Sequence, residues 1–160
     1  MNQRALARWI RFGLLAGAVL TFALWMRSTD RYRIPDTDES LAPFYGGGST
    51  LITEPIGPRD DLPRGADVVY WMEQEGVRYA RFGRVSGLPG DRVESREGRL
   101  WVNGEALSVG GDMEGTVPPG RLLILAVNPL ETRYPDSRRL GYIPRDQVQA
   151  IIKAALALDR

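Results

Sequence analysis

The sequence contains no cysteine and no histidine, and Lys153 is its single lysine. Disulfides, thiol nucleophiles, imidazole bases and the ordinary zinc sites are therefore excluded. The 18 glycines include no phosphate-binding loop and no dinucleotide fingerprint. Acidic residues such as Asp60 and Asp61 lack the spacing of a metal cage. We therefore expect neither a cofactor nor a metal.

A strong net charge is also lacking. The chain has 21 basic and 20 acidic residues, which leaves a net charge of +1. No global field attracts nucleic acid, so nucleic acid is not an expected partner. With 160 residues, of which 26% are charged and 43% hydrophobic, the chain can form one compact domain and an appendage.

The longest uncharged run lies near the N-terminus and covers residues 12–26. As a helix it would extend roughly 23 Å, which is short of the roughly 30 Å hydrocarbon core of a bilayer. Arg11 and Arg27 flank the run and can extend to the headgroups on either side. The pattern predicts a transmembrane helix over 12–27 that follows a basic flank over 1–11.

Four residues of this segment are candidate partner contacts. Trp9 and Trp25 occupy the positions of interfacial aromatic anchors. Gly13 and Gly17 form a small-xxx-small pair, which lets two membrane helices approach closely. The expected partners are therefore the lipid bilayer and other membrane protein subunits.

The orientation and the retention of this helix are separate questions. Arg4, Arg8 and Arg11 precede the run without an acid among them, whereas acids dilute the basic residues that follow it. The bias is small, and it favours an N-terminus inside, an inner (cytoplasmic) membrane location and a periplasmic or extracellular domain. A cleaved signal peptide is the alternative, but no small-x-small site follows Trp25.

The remaining chain divides in two by composition. Residues 28–64 are rich in proline and glycine, including Gly46-Gly47-Gly48, and predict a linker and loop. Residues 65–160 predict a mostly β domain of antiparallel strands, although the Ala-rich segment 147–158 fits either a helix or a last strand. The predicted strands are Val68 to Met72, Val77 to Val85, Arg92 to Ser95, Arg99 to Val102 and Leu122 to Val127, with hairpin signals at Glu97-Gly98 and Asn103-Gly104.

Four ordered blocks resemble the type I signal peptidase (S26-like) family. Residues 84–93 read RVSGLPGDRV and residues 100–104 read LWVNG, which is similar to the family's KRVVGLPGDxV...xxVNG. Residues 65–69 (GADVV) resemble its GDxV entry, and residues 117–120 (VPPG) resemble its VPxG turn. Residues 136–145 resemble its DSRxxG(F/Y)VP block. The resemblance implies a signal-peptidase-like β domain.

The motif residues have a structural interpretation. The GLPGD run supplies proline and glycine where the chain must turn sharply, with an aspartate that can bond nearby amides. The aspartate and arginine of the DSR block are expected to form a surface pair that fixes a loop and contributes about 0 to 1 kcal/mol. Such residues identify a fold better than a reaction. They are Gly87, Pro89, Gly90, Asp91, Asp136 and Arg138.

The chemistry that the resemblance implies depends on a serine nucleophile and a lysine general base. The family's lysine immediately precedes the RVxGLPGD run, and Gly83 stands at that position. Its serine begins an SMxPTL motif, which matches Gly46 when Thr50-Leu51 is aligned with the final TL. Ser49 is the fallback nucleophile if the loop shifts, and Lys153 is the one lysine that could replace the base. We therefore expect no catalysis.

The expected function is that of a membrane-anchored pseudoenzyme, a structural or assembly subunit of a larger membrane complex. The replacement of the family's GDN by Ala126-Val127-Asn128 indicates the same loss of activity. Two alternatives stay open. One is an active serine signal peptidase with unconventional residues, and the other is a module that binds extended peptides without cutting them.

Overall fold

The structure is a computed structural model, and it describes residues 3–27 and 30–156. Within these residues the chain forms two helices, eleven strands and one short 3-10 turn, Arg145–Gln147. The elements in chain order are α1 (Gln3–Arg27), β1 (Asp30–Arg33), β2 (Thr50–Pro55), β3 (Asp67–Gln74), β4 (Val77–Gly87), β5 (Arg92–Arg96), β6 (Arg99–Val102), β7 (Glu105–Gly110), β8 (Gly115–Thr116), β9 (Arg121–Leu125), α2 (Ser137–Leu140), β10 (Ile143–Pro144) and β11 (Val148–Leu156).

The described strands form two antiparallel sheets, which confirms the prediction of a mostly β domain. The larger sheet has seven strands in the order β1-β2-β11-β3-β4-β9-β10, and the smaller has four in the order β7-β6-β5-β8. The five predicted strands lie within β3, β4, β5, β6 and β9 or overlap them. Valine and leucine side chains of β5, β6, β7 and β9 pack together between the sheets.

The predicted hairpin turns have the expected backbone. Glu97 and Asn103 have φ of 52° and 51°, and the glycine that follows each has φ of 75° and 83°. Positive φ at both central residues is the signature of a type I′ turn, whose twist matches that of the flanking strands. A third hairpin of this kind, at Glu75 and Gly76, joins β3 to β4.

Two strands occur in the segment 28–64, for which the composition predicted a linker and loop. β2 pairs with β1 on one side and with β11 on the other. Ile34, Leu41 and Leu51 from this segment are at most 1% exposed and belong to a hydrophobic cluster beneath β3 and β4. Sequence reasoning missed these strands because proline and glycine dominate the composition, while β2 has only a short alternating pattern.

Of the C-terminal segment 147–158, whose sequence fits either a helix or a last strand, residues 148–156 form strand β11, and Gln147 ends the 3-10 turn. Val148, Ala150 and Ile152 are buried, whereas the residues between them are only partly covered. This period of two is that of a strand with one face on the core, and β11 is held in the sheet between β2 and β3. Tertiary pairing therefore overrides the helix propensity of its alanines.

The N-terminal segment forms a single helix, α1, that begins before the predicted span 12–27. Its sequence includes arginines at positions 4, 8, 11 and 27, which lower its mean apolarity. Among the helices of residues 3–27 and 30–156, none is both long and apolar enough to cross a membrane. The predicted transmembrane helix is therefore not supported. Trp9 of α1 is exposed, and the side chain of Trp25 lies outside the described part of the chain.

Candidate functional site

Gly83 lies in β4, opposite Val68 of β3, at the position expected for the family's lysine. A Cβ atom on Gly83 would lie 2.7 Å from Cγ2 of Ile124 and 3.0 Å from the carbonyl oxygen of Leu125. Ile124 is fully buried, so its methyl group cannot move without disturbing a close-packed core. The site therefore has no room for a lysine side chain.

Gly46 opens the glycine-rich loop at the position expected for the family's serine. Nothing lies within 4 Å of an ideal Cβ on Gly46, so this position has room for a side chain. At Gly47, in contrast, a Cβ would collide with the carbonyl oxygen of Asp36. Only glycine lets the backbone at position 47 approach the backbone of Asp36 so closely. Beside this contact, the amide of Ile34 donates to the carbonyl of Ser49 at 2.9 Å.

The fold brings the loop and strand β4 together. Tyr45 packs against the hydrophobic cluster that contains Phe82, and the ring centroid of Phe44 lies 5.0 Å from the guanidinium carbon of Arg84. The two glycine positions therefore belong to one region, in which the chain offers neither a hydroxyl nor an amine at the positions of the family's dyad.

The charged group next to this region is a closed ion pair. Arg84 Nε donates to Asp67 Oδ1 at 2.7 Å, and a terminal nitrogen donates to Oδ2 at 2.9 Å. The hydrogen bond to Asp67 raises the pKa of Arg84, which therefore stays protonated and cannot accept a proton. Burial and the charge of Asp67 raise the pKa of Tyr45. Neither group offers a base at neutral pH.

Ser49, the fallback nucleophile, is buried. The only lysine of the chain, Lys153, lies on β11 with its side chain 52% exposed, and its ammonium is 2.8 Å from a carboxylate oxygen of Glu54. A lysine becomes a general base when burial disfavours its charged form. The exposed, ion-paired setting of Lys153 does not provide that burial.

The GLPGD run forms the turn between β4 and β5, and Asp91 holds it closed. Its Oδ2 accepts the amide of Leu88 at 2.5 Å, and its Oδ1 accepts the side-chain amide of Asn103 at 2.8 Å. A terminal nitrogen of Arg64 lies 2.7 Å from Oδ2. Gly90 has φ of 90°, which favours glycine, while Gly87 and Pro89 complete the turn.

Asp136 and Arg138 pair in the structure, with 2.8 Å between a guanidinium nitrogen and Asp136 Oδ2. The expectation of a surface pair is wrong, because the side chain of Asp136 is only 5% exposed. Its Oδ2 accepts the amide of Ala126 at 2.8 Å, and its Oδ1 accepts the amide of Arg138 at the start of α2. The aspartate thus joins the end of β9 to α2.

Sequence reasoning missed a buried polar cluster that lies beside the glycine-rich loop. It consists of Asp38, which is fully buried, Glu131, which is 3% exposed, and Arg81 of β4. Asp38 stands in the acidic stretch DTDES, whose composition gives no sign of burial. Within residues 3–27 and 30–156, no three acidic side chains are grouped as metal ligands.

Comparison with known proteins decides the family. The chain matches the family described as "Signal peptidase, peptidase S26" over residues 6–114, which is more than half of its 160 residues. The chain belongs to the S26 signal peptidase family. The S26 match includes Gly46, Gly83 and the GLPGD turn, whereas the VPPG and DSR blocks lie beyond its end.

Similar proteins include signal peptidases of several bacteria. Signal peptidase I of Leptolyngbya laminosa is 28% identical over 125 residues, which are 69% of this chain and 61% of that protein. "Probable signal peptidase I-2" of Synechocystis sp. is 25% identical over 157 residues, 88% of this chain and 69% of that protein. The chain thus spans about 61% of the length of the Leptolyngbya relative. A crystal structure of a signal peptidase I from Enterococcus faecalis aligns with a TM-score of 0.45 at 24% identity, covering 59% of this chain and 98% of that one.

Proposed function

We propose that this S26 protein is a signal-peptidase-like pseudoenzyme that does not cleave peptides and that serves as a structural or assembly subunit of a larger membrane protein complex. One observation carries the first half of the proposal. The side chain that would supply the base is absent at Gly83, and Ile124 and Leu125 fill the space that it would need.

The chemistry explains why this packing is decisive. A serine hydroxyl attacks a peptide carbonyl only when a neighbouring group takes its proton. The absence of a side chain at Gly83 leaves no cavity, since Ile124 and the backbone of Leu125 occupy the space beside its Cα atom. Gly46 adds a second loss, because glycine has no hydroxyl at the position of the nucleophile. Both halves of the dyad would have to be rebuilt for activity.

The second half of the proposal has its support in helix α1. Several large apolar side chains of α1 are between 60% and 76% exposed, and water contact with so much apolar surface is unfavourable. A lipid surface or another chain would cover it. The proposal keeps the location expected from the sequence, an inner membrane with the β domain on the outer side. The exposed residues are Trp9, Phe12, Leu14, Leu15, Val19 and Leu20.

The test has two arms. The purified chain is incubated with a signal-peptide substrate beside an active signal peptidase I, and only the active enzyme should give product. Tagged chain is also recovered from membranes in mild detergent, and other subunits should be recovered with it at fixed stoichiometry. Turnover by the chain would overturn the pseudoenzyme, whereas recovery as a lone monomer would overturn the subunit.

A second candidate function is the capture of an extended peptide without cleavage. One observation favours it. Residues 77–83 of β4 pair with β3 on one side, whereas β9 pairs with β4 only from Arg84 onward. The other edge of this stretch has no strand partner within residues 3–27 and 30–156. An edge without a strand partner can accept an added strand through backbone hydrogen bonds.

Peptide capture is tested by calorimetry with an extended signal peptide and with the same peptide N-methylated at alternate residues. Methylation removes backbone donors while it keeps the side chains. Binding of the first peptide and loss of binding with the second would support strand addition at the edge. Equal affinity for both peptides, or no binding of either, would exclude it.

A further inference from the structure

Two loops meet beside the end of β9, and we call them together the clasp: residues 36–45 before β2 and residues 126–134 after β9. Four hydrogen bonds join the two loops. A side-chain bond links Thr37 Oγ1 to the hydroxyl of Tyr134 at 2.9 Å. The other three bonds run from the amide of Val127 to the carbonyl of Ser40 (2.6 Å), from the amide of Asn128 to the same carbonyl (3.2 Å) and from the amide of Glu39 to Glu131 Oε2 (3.2 Å).

A carboxylate is buried inside the clasp. Asp38 is 0% exposed, and its Oδ1 accepts the amide of Ser40 at 2.9 Å. Its Oδ2 is also buried and has no hydrogen-bond partner within the described residues. A buried carboxylate oxygen without a partner is unfavourable when it is charged, and protonation removes the charge.

The groups that face Asp38 do not neutralise it fully. Glu131 comes from the opposite loop, is itself buried and carries the same charge. Arg81 of β4 carries the opposite charge, but one of its terminal nitrogens donates to the carbonyl of Ala80 and its Nε has no partner. Its guanidinium carbon lies 5.1 Å from the ring centroids of both Tyr79 and Tyr134.

One further cation lies at the surface of the cluster: Arg133 Nε is 3.9 Å from Oε1 of Glu131, and because its side chain is 61% exposed, solvent screens its charge. Tyr70 of β3 lies beside Arg81, and its hydroxyl donates to the carbonyl of Pro135 at 3.4 Å. Burial raises the pKa of Tyr70, so its phenol is neutral. Asp136, the remaining charged neighbour of Tyr70, is paired with Arg138. The interior of the clasp therefore holds two carboxylates and one guanidinium.

We propose that the clasp is a pH-sensitive switch: when it is closed, Asp38 holds a proton, and release of that proton to solvent as the pH rises loosens the two loops. Loosening lets the loop with Phe44 and the triple glycine move away from β4. The bonds that open are those between the two loops, while the pairing of β3 with β4 is unchanged.

The direction of the effect follows from linkage. Burial raises the pKa of Asp38, Glu131 adds to this, and the hydrogen bonds of Ser40 and the charge of Arg81 oppose it. Because the pKa in the closed clasp exceeds the ordinary value of 3.8, the closed state binds more protons than the open state. The clasp is therefore most stable below pH 3.8 and loses stability as the pH rises to the pKa of the closed state.

The test is amide hydrogen exchange on the full chain from about pH 4 to about pH 8, with each rate corrected for intrinsic exchange. The clasp amides of Glu39, Val127 and Asn128 should lose protection by about tenfold per pH unit up to the pKa of Asp38, and then level off. Core amides of Val69 and Phe82 should not change. A flat profile for the clasp amides, or an equal fall for the core amides, overturns the proposal.

Three variants sharpen this test. Asp38→Asn should make the clasp profile flat. Glu131→Gln removes the like charge that raises the pKa of Asp38, so the protection of the clasp amides should level off at a lower pH than in the wild type. Glu39→Gln is the matched control: its side chain is exposed and its backbone amide is unchanged, so it should keep the wild-type profile. A pH-dependent fall that persists in Asp38→Asn overturns the switch. If Asp38→Asn does not fold, the test passes to Glu131→Gln. A profile in that variant that levels off at the same pH as the wild type overturns the switch.

Discussion

The γ2 methyl of Ile124 lies 2.7 Å from the point at which a side chain on Gly83 would begin. Since Ile124 is fully buried in a hydrophobic cluster with Val68 and Val85, packing requires a glycine at position 83. In the proposed pseudoenzyme, this one contact accounts both for the absence of a lysine at position 83 and for the close packing of the core.

Gly83→Ala should destabilise the domain by about 1 to 3 kcal/mol, because the added methyl overpacks the core. Urea unfolding measures the change. The matched control is Gly46→Ser, where the Cβ meets nothing within 4 Å and φ is not positive. That variant should stay within about 0.5 kcal/mol of the wild type. Equal stability of both variants would contradict the packing argument at Gly83.

Restoration of the dyad should not restore cleavage. Gly83→Lys alone lacks the attacking hydroxyl at Gly46, and in the double variant with Gly46→Ser the lysine still has no room. We expect no product from either variant in a single-turnover assay with a signal-peptide substrate. Ser49→Ala should behave as the wild type. Wild-type turnover that disappears in Ser49→Ala would make Ser49 the nucleophile of an active peptidase.

Asp91→Asn should lower stability in a pH-dependent way. Burial alone would raise the pKa of Asp91, but the amides of Leu88 and Asn103 and the guanidinium of Arg64 outweigh it, and the pKa is lowered from 3.8. The stabilisation is therefore present above pH 3.8 and lost as the pH falls through the lowered value.

Thermal unfolding checks this prediction. The loss in Asp91→Asn should be about 1.5 to 3 kcal/mol near neutral pH, as for a buried hydrogen bond to a charged group. It should shrink toward zero in strong acid. Asp112→Asn, at an exposed carboxylate of the same small sheet region, serves as the control and should show little change at either pH. A loss that is independent of pH would refute the assignment to the charge of Asp91.

The local features of the fold were predictable, and the non-local ones were not. Glu97-Gly98 and Asn103-Gly104 predict their hairpins because each turn depends on two adjacent residues. β2 depends on pairing with β11 near the other end of the described chain. Gly46 and Gly83 could be found from a motif, whereas 92 residues separate Glu39 from its partner Glu131. A local sequence pattern cannot predict a contact between residues so far apart in the chain.

Gly13→Leu together with Gly17→Leu should weaken association with partner subunits. Neither glycine has another atom within 4 Å of an ideal Cβ, so the chain itself tolerates leucine at both positions. An effect on association would therefore report the loss of close approach by a second helix. Pull-down from mild detergent measures the recovered partner. Ala18→Leu, on another side of α1, is the control, and equal loss in the control would remove the glycine face from the interface.

The proposed inner-membrane location predicts that protease added to intact spheroplasts digests the β domain. This prediction rests on the positive bias before residue 12, which favours an N-terminus inside. Immunoblotting against an epitope in the small sheet follows the digestion, with a cytoplasmic protein as the protected control. Full protection of the domain in intact spheroplasts, followed by digestion after lysis, would place it on the cytoplasmic side.

The position of β11 also sets the order in which the chain can fold during synthesis. β2 and β3 are made early, yet both pair with β11, which the ribosome adds much later. Until then each of these strands has one bare edge, which can pair with a neighbouring nascent chain. Completion of the large sheet is therefore a late step, because the β1-β2 pair is connected to β3 only through β11. Slow synthesis of the C-terminal part of the chain therefore favours aggregation of the nascent chain, even when the finished native protein is stable.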